Sequence, residues 1–338
     1  MLEELDINLD SLEEQELLGC FKNEEGISVE RISDHLFRSG VLVKLIIGRK
    51  RLKFSYDFKG LGIDFEKTNS KDFVLGHMEN GKISVLPLHL EKRLTSIEGA
   101  LRNRQKRLST GFNDQYMPLE NYTEFKKDFE TTRQEFFMVR DEILDIWENL
   151  IEEYKLKLDV LLKDVNAIER DRIYREMVNV IPSKQEYKDS FKMLMSVKTM
   201  PRIEADDDLN DEIANIIKKD IVGVIYETVQ RCLDKACSLA NSAVSGYSKG
   251  EISIRTLGAI KRISTTLRTN NVVANNDVVE EIAVLFDEAA NLKSPDEISQ
   301  IMEIILAKGY VYANKNSITL SFNPVLPSHE LERIYNLL

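Results

Sequence analysis

The chain has 338 residues, 43% of them hydrophobic and 30% charged, with a net charge of −11. That length buries a sizeable core and divides into two or three subdomains, while the acidity makes non-specific DNA binding a poor default. No apolar run approaches the roughly 18 residues of a membrane span, so a soluble, cytoplasmic chain is expected.

The opening MLEELDINLDSLEEQELL is acidic where a signal peptide is basic and then apolar. Cys20, Cys232 and Cys237 are too few and too scattered for a disulfide framework, which fits a reducing compartment. Residues 1–40 read as short acidic helices, Leu12 to Phe21 and Ser28 to Arg38, with Asp10 or Ser11 as caps for the first and Gly40 closing the second. Strands are expected over Val41 to Ile47 and Leu52 to Tyr56, around the basic GRKRLK of Gly48 to Lys53. Asn80-Gly81 is a tight-turn signal between Phe73–His77 and Lys82–Leu86. A small sheet over Val41 to Leu86 follows. Leu88 to Leu108 reads as a helix with Leu90, Leu94, Ile97, Leu101 and Leu108 inward, a basic end at RNRQKR, and Gly111 after it.

From Leu119 to Ile181 there is no Gly and no Pro. Tyr122, Phe125, Phe129, Phe136, Val139, Ile143, Ile146, Leu150, Tyr154, Leu158, Leu161, Val165 and Ile168 recur there at steps of three and four, one apolar stripe on a helix. Unbroken, it would be about 90 Å long and would need a partner helix. The stripe weakens around Asn166 to Arg172, and the preceding helix is a natural antiparallel neighbour because the connection is short. Pro182-Ser183 starts a further helix, PSKQEYKDSFKML. Lys198 to Asp208 is the linker candidate, its run Asp206 to Asp208 reading as a helix N-terminal cap rather than a metal loop. Helices then follow over Leu209 to about Val244, Ile252 to Thr269, Asp277 to Leu292, and Pro295 to Lys308, the last with Ser294 and Glu297 placed for a capping box. A hairpin is expected from Tyr310–Ala313 and Ser317–Phe322, then a helix from His329 to Leu338.

No catalytic motif stands out. His35, His77, His89 and His329 lack ligand spacing, GYSKG (Gly246 to Gly250) is not a phosphate loop, and no Gly-x-Ser-x-Gly elbow occurs. An enzyme built from dispersed carboxylates has no particular pair to point to. Two basic clusters stand against the acidic background: Arg49, Lys50, Arg51 and Lys53, and Arg102, Arg104, Lys106 and Arg107. They read either as contacts for a phosphate or an acidic partner or as solvated ends of secondary elements. The C-terminal helices are similar in order to a winged helix. However, only Lys308 is basic on the helix that would read DNA.

The strand running into GRKRL (Gly48 to Leu52), then LEKRLTSIEGALRNRQKRLSTGF (Leu90 to Phe112) and YMPLENYTEFKKDFETTRQEFFMVRDEILDIWENL (Tyr116 to Leu150), resembles a bacterial and phage family of unknown function. Glu135, Phe136, Asp141 and Trp147 match its acidic-aromatic spacing, and IPSKQEYKDSFKMLM (Ile181 to Met195) its closing segment. Ile46-Ile47 stands where an aromatic is expected before the glycine. The resemblance covers about Val41 to Pro201. Genes of that family accompany MoxR-type AAA ATPases and von Willebrand factor A proteins. It therefore implies a component without catalysis of its own, in a phage, plasmid or defence assembly, and it brings no catalytic, cofactor or metal residues.

The expected protein is mainly α, with a small N-terminal β-sheet, a long antiparallel coiled-coil helical arm, and a helical C-terminal domain with one β-hairpin. Its expected divisions are 1–40, 41–117 (sheet plus basic helix), 118–200 (arm) and 209–338 (C-terminal domain with hairpin 310–322). The expected function is a scaffold or adaptor docking an AAA-type ATPase, a von Willebrand factor A protein or another copy of itself. The alternative is a nucleic-acid-associated protein using the same clusters at 49–53 and 102–107.

Overall fold

The computed structural model describes residues 20–23, 26–55, 76–79, 82–163, 165–200, 202 and 211–338. Most of the expected Leu12–Phe21 helix and Phe73–His77 strand, the Asn80-Gly81 turn and the run Asp206 to Asp208 lie outside the described residues. The elements in order are β1 (Lys22–Asn23), β2 (Gly26–Ile27), α1 (Val29–Ser39), β3 (Gly40–Gly48), β4 (Lys53–Ser55), β5 (Met78–Glu79), β6 (Lys82–Ser84), α2 (Leu88–Leu108) and β7 (Tyr116–Pro118). There follow α3 (Leu119–Asp145), α4 (Trp147–Leu161), α5 (Ala167–Asn179), α6 (Lys184–Asp189), β8 (Lys192–Thr199), α7 (Asp211–Ser248), α8 (Ile254–Ala274), α9 (Asp277–Asn291), α10 (Pro295–Lys315) and α11 (Ser328–Tyr335). The fold is mainly helical with small antiparallel sheets. Strand orders are β1-β2, β7-β3-β8 and β4-β6-β5.

The chain forms two compact units. The first comprises Met1–Val43, Lys106–Thr123 and Val197–Leu338, the second Lys44–Gln105 and Glu124–Ser196. In the first, α7 packs against α8 and α10, α9 against α8 and α10, and α11 against α10, around a core that includes Ile225, Leu233, Phe286, Met302 and Leu306. Two close approaches fix it. Gly309 on α10 lies where any Cβ would collide with the Cys237 sulfur of α7. Gly40 leaves room for the Tyr116 ring, whose hydroxyl donates to Leu36 O at 2.8 Å and shares a 2.9 Å bond with Ser39 Oγ. The start of β3 pairs with β7 there, Gly40 opposite Pro118 and Leu42 opposite Tyr116.

The expected hairpin over residues 310–322 is not formed. Tyr310 to Ala313 belong to α10, because Ile298, Met302, Ile305, Gly309, Tyr312 and Ala313 continue one buried face at helical spacing. The helix ends where Asn316 N donates to Tyr312 O and Ala313 O. Among the described residues, the consecutive antiparallel pairs are β1 with β2, Lys22 opposite Ile27, and β5 with β6, Met78 opposite Ile83 and Glu79 opposite Lys82.

In the second unit the long apolar stripe is divided among α3, α4 and α5 rather than forming one rod. The first break is at Ile146 (φ −107°, ψ 15°), which is 44% exposed, while the next residue, Trp147, is buried and stacks on Tyr187 at 4.7 Å. Burying the large indole against a ring forty positions away outweighs keeping Ile146 on the stripe. Tyr187 and Phe136 both meet Phe191, at 5.1 and 5.2 Å, so α3, α4 and α6 share one aromatic cluster. The second break precedes Asn166, which caps α5 by accepting from Ile168 N, and Ile168 is 83% exposed. α2 and α3 run antiparallel: Arg93 pairs with Glu142 at 2.5 Å, and Arg104 with Asp128 at 2.8 Å and with Glu124. The helix expected from Pro182 stops early. Ser183 and Glu186 form a reciprocal capping box for the short α6, and β8 follows where helix was expected.

Candidate functional site

The GRKRLK segment joins β3 to β4, and the structure treats its cations unequally. Arg49 turns inward onto α2. Its Nη1 donates to Glu91 Oε2 at 2.8 Å, its Nη2 to Glu91 Oε1 at 3.1 Å, and its Nε to Glu98 Oε1 at 2.7 Å. Glu91, Thr95 and Glu98 are spaced four and three apart and so lie on one helical face. The guanidinium side chain and Glu91 are each 1% exposed and Glu98 is 6% exposed. Burial alone would lower the Arg49 pKa, but the two carboxylates outweigh it and raise the pKa. Arg51 donates to Glu98 Oε2 at 3.1 Å with its side chain 58% exposed, and Lys53 stands 3.9 Å from Glu91. The Lys50 backbone N–H donates to Ser190 Oγ at 2.9 Å, which ties the segment to the end of α6, and the residue itself is exposed.

The second cluster divides likewise. Arg104 is held by Asp128 and Glu124 of α3. Arg102 is exposed and continues the Glu91–Thr95–Glu98 face, its Nη2 donating to Ile47 O at 3.1 Å. The structure thus brings Arg102 beside the start of the GRKRLK segment, in the second unit. Lys106 and Arg107, also exposed, belong to the first unit, where Arg107 acts on Lys235 of α7. Arg49 is therefore a buried fastener, and Arg104 a partly exposed one between α2 and α3. Of the two clusters, Lys50, Arg51 and Arg102 are the members that face outward in the second unit.

Sequence reading missed Glu91 and Glu98 as the partners of Arg49. The available signal was the presence of two carboxylates among Leu90, Leu94, Ile97 and Leu101 on the face of α2 that faces inward. Such buried acids require a cation.

Several of the groups that carry nucleophilic or acid–base chemistry elsewhere are buried, whereas His35 is half-buried and Cys20, His89 and His329 are exposed. Burial pushes the Cys232 and Cys237 thiols up to about 12. Burial also raises the hydroxyl pKa of Tyr116, Tyr154 and Tyr187. His35 Nε2 lies 2.8 Å from Val272 O at the end of α8, and His77 Nδ1 lies 2.9 Å from Ser84 O. Among the described residues, no group of three His, Cys, Asp or Glu could hold a metal ion. Likewise none of the described helices is long and apolar enough to cross a membrane. No family model matches the chain, and no curated protein or solved structure is significantly similar to it.

Proposed function

We propose that the chain is a non-catalytic helical scaffold or adaptor that docks an acidic protein surface on Lys50, Arg51 and Arg102. The observation that carries this reading is the sorting of the two basic clusters. Arg49 is buried between Glu91 and Glu98 and Arg104 is held by Asp128 and Glu124, whereas Lys50, Arg102 and Arg51, which keeps one bond to Glu98 but is largely exposed, present charge to solvent on one short stretch of α2 and the segment bound to it. Exposed arginines offer charge-assisted bonds to carboxylates. The buried Arg49 network supplies the rigid base beneath them, and the antiparallel pair α2 and α3 supplies the arm. The resemblance over Val41 to Pro201 supplies the partner class: an AAA-type ATPase or a von Willebrand factor A protein, in the cytoplasm, in a phage, plasmid or defence assembly.

Charge reversal tests the reading. Lys50→Glu with Arg102→Glu, leaving Arg49 and Arg104 in place, lowers partner affinity about tenfold, the scale of two exposed ion pairs, with helix content unchanged by circular dichroism. Unchanged affinity contradicts it. The nucleic-acid alternative rests on the same cations, and a binding constant that falls steeply with salt would favour it. The net charge of −11 weighs against it.

A further inference from the structure

The first unit carries a groove of about 490 Å³ between α7 and α8, lined by Lys235, Ser238 and Ser242 from one helix and Arg262, Ile263 and Thr266 from the other. α8 is unusual in this acidic chain: over Ile254–Ala274 it carries Arg255, Lys261, Arg262 and Arg268 and no carboxylate. No acidic residue lines the groove. Arg262 Nε donates to the Gly258 carbonyl at 3.0 Å, and among the described residues neither Arg262 nor Lys235 has a carboxylate partner. Lys235 is exposed at its surface, yet crowding by its neighbours, which partly desolvates it, and the guanidiniums of Arg231 and Arg107 lower its pKa against the opposing effect of Cys232. An anion placed there would relieve that crowding of positive charge. Leu239 and Ile263 give the groove an apolar floor between its cations.

We infer that this groove binds an acidic amphipathic helical segment of a protein partner, its apolar side chains on Leu239 and Ile263 and its carboxylates on Lys235 and Arg262. Three features favour this occupant over nucleic acid. The groove has no aromatic residue for bases to stack on. Its two cations are too few for a polyanion with one charge per roughly 1.7 Å of duplex. Its floor rewards aliphatic side chains, as helix-in-groove recognition requires. The stretch from Lys235 to Ser242 is two turns, about 10 Å, which matches two turns of a bound helix. The inference is independent of the surface proposed on the second unit.

The test uses the full-length protein and fluorescence anisotropy with a labelled helical peptide of about four turns, leucines on one face and glutamates flanking them. A second peptide has glutamine in place of glutamate, and a labelled single-stranded oligonucleotide is the third probe. The glutamate peptide is expected to bind. Lys235→Glu with Arg262→Glu, or the milder Lys235→Gln with Arg262→Gln, should weaken it about tenfold, the loss of two partly screened ion pairs, and the glutamine peptide should bind wild type equally weakly. Absence of binding by the glutamate peptide, equal binding of the two peptides, equal binding by wild type and both variants, or tighter binding of the oligonucleotide would each overturn the inference.

Discussion

Arg49 holds two carboxylates, Glu91 and Glu98, with its own side chain 1% exposed. Removing one side of such a buried pair leaves charge without compensation, which costs about 3–5 kcal/mol. Arg49→Ala should therefore lower the urea midpoint by that stability with an unchanged slope, and a loss below about 1 kcal/mol would show that the network is not the fastener described. Replacing Arg49, Glu91 and Glu98 together by apolar residues of similar volume should recover much of the loss. His77 makes a pH prediction. Burial holds its pKa below the ordinary value of about 6.5, with Lys157 adding to the effect and the Ser84 carbonyl opposing it. Between the lowered folded value and 6.5 the unfolded chain binds more protons, so the stability from neutral His77 is complete above about pH 6.5 and declines as pH falls below it. Urea melts at about pH 7.5 and about pH 5.5, on either side of the ordinary imidazole pKa, should show the decline, and His77→Gln should flatten it. An equal decline in the variant would assign it to other groups.

The helices of the first unit were legible because their signals are local. The spacing of apolar residues and Ser294 before Pro295 place α9 and α10 close to where they begin, and Ser294 does accept from Glu297 N. The end of α10 was not legible. Tyr310, Val311 and Tyr312 favour strand by propensity, and only their burial in the helical bundle makes them helix. The same element carries a direct prediction. Gly309→Ala puts a methyl group onto the Cys237 sulfur, so it should cost about 1–3 kcal/mol through overpacking, although alanine is the better helix former. A thermal midpoint equal to or above wild type would show that the α7–α10 crossing is looser than described. The break before α5 was marked by the weakening of the stripe around Asn166 to Arg172, but the one between α3 and α4 was invisible for a different reason. The stripe through Ile146 is intact as a pattern, and the competing partner of Trp147, Tyr187, is far away in sequence. Strand β8 was hidden similarly, since its strand neighbour β3 lies roughly 150 positions earlier.

At the scale of the molecule, the sequence pattern identified a mainly helical chain with a small N-terminal sheet and two basic clusters, and the structure separates those clusters by role. Composition locates Arg49 and Arg102 equally well, but only the folded positions of Glu91 and Glu98 show that the first is a core residue and the second an outward one. The boundaries of the two units were not legible either, because each is assembled from separated stretches of chain. The central claim is that Lys50, Arg51 and Arg102 of the second unit serve a protein partner. The most direct measurement is a tagged, nuclease-treated pull-down from the native host, comparing wild type with the Lys50→Glu, Arg102→Glu variant by quantitative mass spectrometry. Recovery of an AAA-type ATPase or a von Willebrand factor A protein with wild type, reduced about tenfold with the variant, is the predicted result. Equal recovery with both, or capture that disappears on nuclease treatment, would contradict it.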